Sequence, residues 1–164
     1  MIINGADLLY RAPIKGMITE KRREHGVSWG LSEAGYDIRV KQDVVFYKPK
    51  GDYLSGVIVD GKFLQGNFCL ASAIEEFQMP TNLVGIVHDK STWARQGLSV
   101  FNTVIENGWC GWLTLELLYH GSEGLHIPAG AGIAQVIFHE TIERASYDGK
   151  YQNQSDRPVE AISR

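Results

Sequence analysis

The sequence predicts an all-β domain, a sandwich or barrel of short strands, on three observations. Apolar and polar residues alternate at period two in short runs, the runs recur at intervals of roughly a dozen residues, and Gly, Pro, Asn or Asp punctuates them. Eighteen glycines suit a chain with many tight turns. The regular alternation of strands with long amphipathic helices that builds a parallel sheet is missing.

Residues 5–11 are expected as a short helix, with Asp7 in its first turn, Leu8 and Leu9 free to dock, and Pro13 ending it. Residues 19–25, including Glu20, Lys21, Arg22 and Arg23, read as solvated surface. Strands are expected at 36–40 and 44–47, with Pro49 and Gly51 supplying a turn, and again at 56–60 and 67–71. After Pro80 come 83–88, 98–104 and 112–119, then 133–139 past the Pro128-Ala129-Gly130 turn. The tail from Tyr147 is too polar to build core, and residues 147–164 are expected as a mobile segment unless a ligand orders them.

A chain of 164 residues supports one domain, taken as 1–164, and its 44% hydrophobic and 21% charged content is ordinary globular composition. A net charge of −3 lacks the basic excess that long nucleic acids require, but leaves room for a small anion on a local basic cluster. The N-terminus has neither the basic start nor the apolar core of a signal peptide, and no run is long enough to cross a bilayer. A cytoplasmic protein with no membrane partner is expected. Cys69 and Cys110 then read as small buried residues rather than a disulfide.

Chemistry concentrates between Lys90 and Glu116. Lys90, Ser91, Thr92 and Arg95 combine an ammonium, two hydroxyls and a guanidinium, the groups that bind an anionic oxygen cluster. The alternative is a surface turn with incidental charge. In the run 112–119, Trp112, Thr114, Glu116 and Leu118 share one strand face, so Glu116 has mainly apolar neighbours. Desolvation there would raise its pKa toward a range useful for proton transfer; a Glu on the solvent face of an edge strand is the other reading. The nucleotide P-loop, the His-x-Glu and Pro-Cys-x-x-Cys frame of zinc nucleobase deaminases, the Gly-x-Ser-x-Gly elbow and a metal-ligand spacing among the five histidines are all absent.

Five blocks, in order, carry a family resemblance. They are Ala34-Gly-Tyr-Asp-Ile-Arg39, Lys90-Ser-Thr-Trp-Ala-Arg-Gln-Gly-Leu98, Gly108-Trp-Cys-Gly-Trp-Leu-Thr-Leu-Glu116, Gly132-Ile-Ala-Gln-Val-Ile-Phe138, and Lys150-Tyr-Gln-Asn-Gln154 with Ser163-Arg164. Together they resemble the dCTP deaminase family, the zinc-free branch of the fold shared with trimeric dUTPases. The resemblance implies a distorted β jelly roll with short helices, assembled as a homotrimer or a pair of trimers, with active sites at subunit interfaces. It implies deamination of dCTP to dUTP, with Glu116 as general base and acid and with Ser91 and Arg95 positioning the attacking water and stabilising charge at C4. Lys90, Ser91, Thr92 and Gln135 would contact a triphosphate carrying Mg2+, with no zinc and no protein-held metal. Thr103, Glu106, Trp109 and Tyr147 would surround the nucleotide, and Lys150 and Gln154 would close over it. A dUTPase, or a bifunctional enzyme releasing dUMP and pyrophosphate, is the alternative. Three departures stand out: Lys90 replaces an Arg, Asn102-Thr103 runs into Val104 without the family's longer loop, and Glu106 replaces an Asp.

Overall fold

The computed structural model describes residues 1–48, 55–101 and 103–163; the turn expected at Pro49 and Gly51, together with Asn102 and Arg164, lies outside them. The period-two runs pair as antiparallel strands in three sheets. The largest contains β1 (Ile2–Ile3), β2 (Lys21–Glu24), β3 (Val27–Leu31), β4 (Tyr36–Arg39), β9 (Leu83–Asp89), β11 (Val104–Ile105) and β14 (Gly132–Glu140), in the order β11-β9-β14-β4-β3-β2 with β1 also on β14. A second holds β5 (Val44–Tyr47), β6 (Gly56–Val59), β7 (Lys62–Gln65) and β13 (Leu125–Ile127). The third is β10 (Leu98–Val100), β12 (Cys110–Tyr119) and β8 (Phe68–Gln78), with β12 central.

The sheets close on one apolar core that includes Tyr36, Ile38, Phe46, Phe77, Leu115, Leu117 and Phe138. The seven-stranded and three-stranded sheets are also joined by a buried ion pair. The Arg39 backbone N–H donates to Glu75 Oε2 and its Nε to Oε1, each at 2.8 Å, while the guanidinium lies 3.8 Å over the Trp29 ring. Burial pushes the Glu75 carboxyl above its ordinary range, and its bonds to Arg39 pull it partly back.

The expected helix forms as α1 (Gly5–Arg11), docking through Leu8 and ending at Ala12 in the left-handed conformation just before Pro13. Residues 19–25 are exposed as expected, yet four of them form β2, because His25 and Gly26 both take positive φ and fold the segment onto β3 as a tight hairpin. Asp60 and Gly61 do the same between β6 and β7. The run 98–104, expected as one strand, divides into β10 and β11 in different sheets. Its phase explains why: the even positions Leu98 and Val100 are buried in β10, whereas in β11 the even position Val104 is exposed and the odd one, Ile105, is buried, so the buried phase has switched between the two strands.

Candidate active site

Glu116 lies in the middle of β12, opposite Leu70 of β8, and its carbonyl accepts from the Phe101 N–H at 3.0 Å. Antiparallel partners point to the same face, so Leu70 and the pair Leu118 and Phe68 put hydrocarbon opposite it and on one side, with Thr114 and Ser72 on the other. The Phe68 and Phe101 rings stand 6.1 Å apart beside it. The carboxyl is half-buried, and loss of hydration raises its pKa above the ordinary carboxylate range, a backbone hydrogen bond offsetting only part of this. Among the described residues it forms no ion pair.

The carboxyl borders a cleft of about 1180 Å³. Leu70, Leu113 and Thr114 share its wall with Glu116; Thr103, Glu106 and Trp109 form a second wall; Asp60, Lys62 and Leu64 of the β6–β7 hairpin reach its mouth. The tail covers the remainder with Tyr147, Tyr151, Gln154 and residues 157–161. Both Leu113 and Thr114 reach the cleft because β12 slips its pairing with β8 between Trp112 and Thr114.

The tail is tied down by hydrogen bonds along its length. The Tyr147 N–H donates to the Asn107 carbonyl at 2.7 Å, the Trp109 indole to the Tyr151 carbonyl at 2.7 Å, and the Cys110 N–H to Gln152 Oε1 at 2.8 Å. Gln154 then runs parallel to Gly111 as a single bridge, where a Cβ on Gly111 would stand 2.6 Å from the Gln154 backbone. Gly111 has a φ of +132°, so only glycine fits on both counts. Lys150 is exposed and donates to the Ile162 carbonyl at 2.5 Å, holding the tail to itself rather than lining the cleft.

The other expected site residues form a second group. The short helix α2 (Ser91–Ala94) is anchored by buried Trp93, whose indole donates to the Gly132 carbonyl at 2.7 Å, leaving Ser91, Thr92 and Arg95 exposed. The Lys90 ammonium turns back onto the seven-stranded sheet against the Asp37 carboxylate and Ser28 Oγ, the latter at 3.1 Å. Gln135 lies directly across from Asp37 and donates to Ser32 Oγ at 2.9 Å. Asp37 Oδ1 is buried with no partner among the described residues.

One chain therefore gathers Glu116, Thr103, Glu106, Trp109, Tyr147 and Gln154 around a cleft, and Lys90 and Gln135 around Asp37, without bringing Ser91, Thr92 or Arg95 into the cleft wall. Arg95 neither lines that cleft nor, among the described residues, forms an ion pair with Glu116. Sequence reasoning put Thr114 on the Glu116 face without a role and gave Asp37, Tyr151 and residues 157–161 none. Asp37 and Tyr151 were legible only within motif blocks, because their partners come from distant segments.

Among the described residues no cluster of three His, Cys, Asp or Glu could hold a metal ion, and no helix is long and apolar enough to cross a membrane. Burial pushes the Cys69 thiol up to about 12, making it inert beside the cleft.

A family model described as dCTP deaminase-like matches residues 12–141. The chain is 36% identical over 159 residues to a dCTP deaminase of Roseiflexus castenholzii, covering 87% of this chain and 86% of the relative. A dCTP deaminase of Acidobacterium capsulatum is 35% identical over 162 residues, covering 86% and 88%. Among solved structures the fold is similar to the EIAV dUTPase (TM-score 0.52, 20% identity, 80% of this chain and 93% of that one). It is also similar to the dUTPase of Staphylococcus bacteriophage 80alpha (TM-score 0.51, 15% identity, 83% and 91%). The all-β architecture is thus the dUTPase-like fold.

Proposed function

The chain belongs to the dCTP deaminase family, and from that premise we propose that it converts dCTP and water to dUTP and ammonia, with Glu116 carrying the proton. The observation that supports this most is the half-buried Glu116 carboxyl, desolvated and unpaired in a cleft large enough for a nucleotide. Its raised pKa makes it a better proton acceptor near neutrality, and a better donor once loaded. Glu116 takes a proton from water as the water oxygen bonds to C4 of cytosine. It passes that proton to ring N3, then carries the remaining proton of the C4 hydroxyl to the amino nitrogen, so that the C4–N bond breaks, ammonia leaves and C4 becomes a carbonyl beside a protonated N3.

Ser91 and Arg95 position that water and stabilise charge at C4, and in this reading they come from a neighbouring copy in a homotrimer or a pair of trimers. Their exposure, with neither of them lining the cleft that Glu116 borders, favours that arrangement. Lys90, Ser91, Thr92 and Gln135 receive the triphosphate. An ammonium has three donors, and with Asp37 and Ser28 taking two, Lys90 keeps one for a phosphate oxygen. Mg2+ would come with the triphosphate, whose charge it would neutralise, with Lys90, Ser91, Thr92 and Gln135 holding the phosphates around it. The chemistry is read as zinc-independent, since the cysteine frame of zinc deaminases is absent from the sequence. Thr103, Glu106, Trp109 and Tyr147 enclose the sugar and base. Residues 147–164, with Lys150 and Gln154, act as a lid on the single domain 1–164, in a cytoplasmic enzyme.

The direct run of Asn102-Thr103 into Val104 and the Ala34-Gly-Tyr-Asp block support a second reading, in which the same cleft also hydrolyses dUTP to dUMP and pyrophosphate; Glu106, one methylene longer than the Asp it replaces, counts against it. Incubation with dCTP or dUTP and Mg2+, followed by chromatography, separates them: ammonia with dUTP supports deamination alone, pyrophosphate with dUMP the second activity, and neither product defeats both.

A further inference from the structure

We infer that Thr114 is a positioning residue that couples closure of the tail to the base held beside Glu116, a role that rests on the deaminase reading. Two separate parts of the tail converge on this one hydroxyl. Gln154 Nε2 donates to Thr114 Oγ1 at 2.8 Å, and the Val159 backbone N–H donates to the same oxygen at 3.0 Å. The residue is 7% exposed and borders the cleft.

A threonine hydroxyl has two lone pairs and one proton. The tail occupies both acceptor positions, so the proton is the only hydrogen-bonding capacity Thr114 has left, and no acceptor for it exists among the described residues. Thr114 and Glu116 are two residues apart on one strand and border the same cleft, which directs that proton beside the Glu116 carboxyl. A pyrimidine placed against Glu116 offers it acceptors at O2 or N3. With the tail open, the hydroxyl is free to rotate and shares its lone pairs with water; with the tail closed it is fixed as a donor. The register slip between Trp112 and Thr114 and the bare Gly111 backbone bring the tail to this position. Valine at 114 would keep the shape and remove the oxygen, leaving two half-buried N–H groups without their acceptor.

The test uses the full chain with Thr114→Val and Thr114→Ser, read by amide hydrogen exchange without nucleotide and by steady-state kinetics on dCTP. For Thr114→Val, exchange at Val159 should quicken about tenfold and KM rise about tenfold, with kcat changed less than about threefold, as expected when two hydrogen bonds of the closed state are lost. Thr114→Ser should restore both. Wild-type exchange and KM in Thr114→Val would overturn the proposal, as would Thr114→Ser behaving like Thr114→Val, since the methyl would then be what matters. Should Thr114→Val not fold, Gln154→Leu provides the second measurement: KM should still rise severalfold, and an unchanged KM overturns the coupling. If wild type releases no ammonia from dCTP, the functional reading has failed separately, and unchanged exchange at Val159 in Thr114→Val would still overturn the latch.

Discussion

Lys90 Nζ is paired with the Asp37 carboxylate inside the seven-stranded sheet, the two side chains only 11% and 3% exposed. Neither charge is sustainable there alone. Lys90→Met should therefore lose about 3 kcal/mol of stability by leaving a buried carboxylate uncompensated, whereas Lys90→Met combined with Asp37→Asn should lose clearly less. Urea unfolding midpoints of the single and double variants check this. Equal losses would mean the pair is not coupled.

The Glu116 carboxyl must be ionised to accept a proton from water. As pH falls through its raised pKa, kcat/KM for dCTP should decline with an apparent pKa above the ordinary carboxylate value of about 4.3. Glu116→Gln should reduce turnover by at least about a hundredfold at every pH and leave the fold intact. A flat acid limb down to pH 4, or wild-type turnover in the variant, would remove Glu116 from the chemistry.

The same carboxyl makes a stability prediction with a definite sign. Its folded pKa is raised, so between the unfolded value and the folded one the native state binds more protons, and its stability falls as pH rises through that interval. Glu116→Gln escapes this loss. Its Tm should exceed that of wild type at pH 7 to 8, with the difference closing below about pH 4. Calorimetry at both pH values decides the matter, and a lower Tm at pH 8 would contradict it.

Because Arg95 and Glu116 do not meet within one chain, two dead variants should rescue each other. Glu116→Gln and Arg95→Ala, unfolded together and reassembled in equal amounts, should recover up to about a quarter of wild-type activity, since each mixed trimer contains one interface with both native groups. Each variant treated alone should recover nothing. Absence of rescue in verified mixed oligomers would place both groups in one chain's site.

Gly111 meets the tail backbone with no room for a side chain. Gly111→Ala should unseat residues 152–154, making the tail more sensitive to proteolysis and raising KM severalfold, and because Gly111 has a φ of +132° and pairs with Phe77 of the core, the thermal midpoint should fall as well. Limited proteolysis with mass spectrometry reads the tail directly, and an unaltered cleavage pattern would show that it docks elsewhere.

The alternation was right for 114–119, though not for Leu113, which a register slip also brings to the cleft; the helix at 5–11, the strands at 36–40, 44–47, 83–88 and 133–139, and the motif blocks were legible because each depends on neighbours within a few residues. The hairpins β2–β3 and β6–β7 were harder to read, as they are exposed and polar and owe their strands to two-residue turns with positive φ. What no local pattern encodes is who stands across from whom. Sheet register sets Leu70 against Glu116 and Gln135 against Asp37, and tail contacts set Gln154 and Val159 on Thr114, joining segments tens of residues apart. The residue types and their order came from the chain alone; burial of Glu116, the locked Lys90 and the separation of Arg95 from the cleft were decided by packing, since desolvation and pairing are properties of a place in the fold rather than of a stretch of sequence.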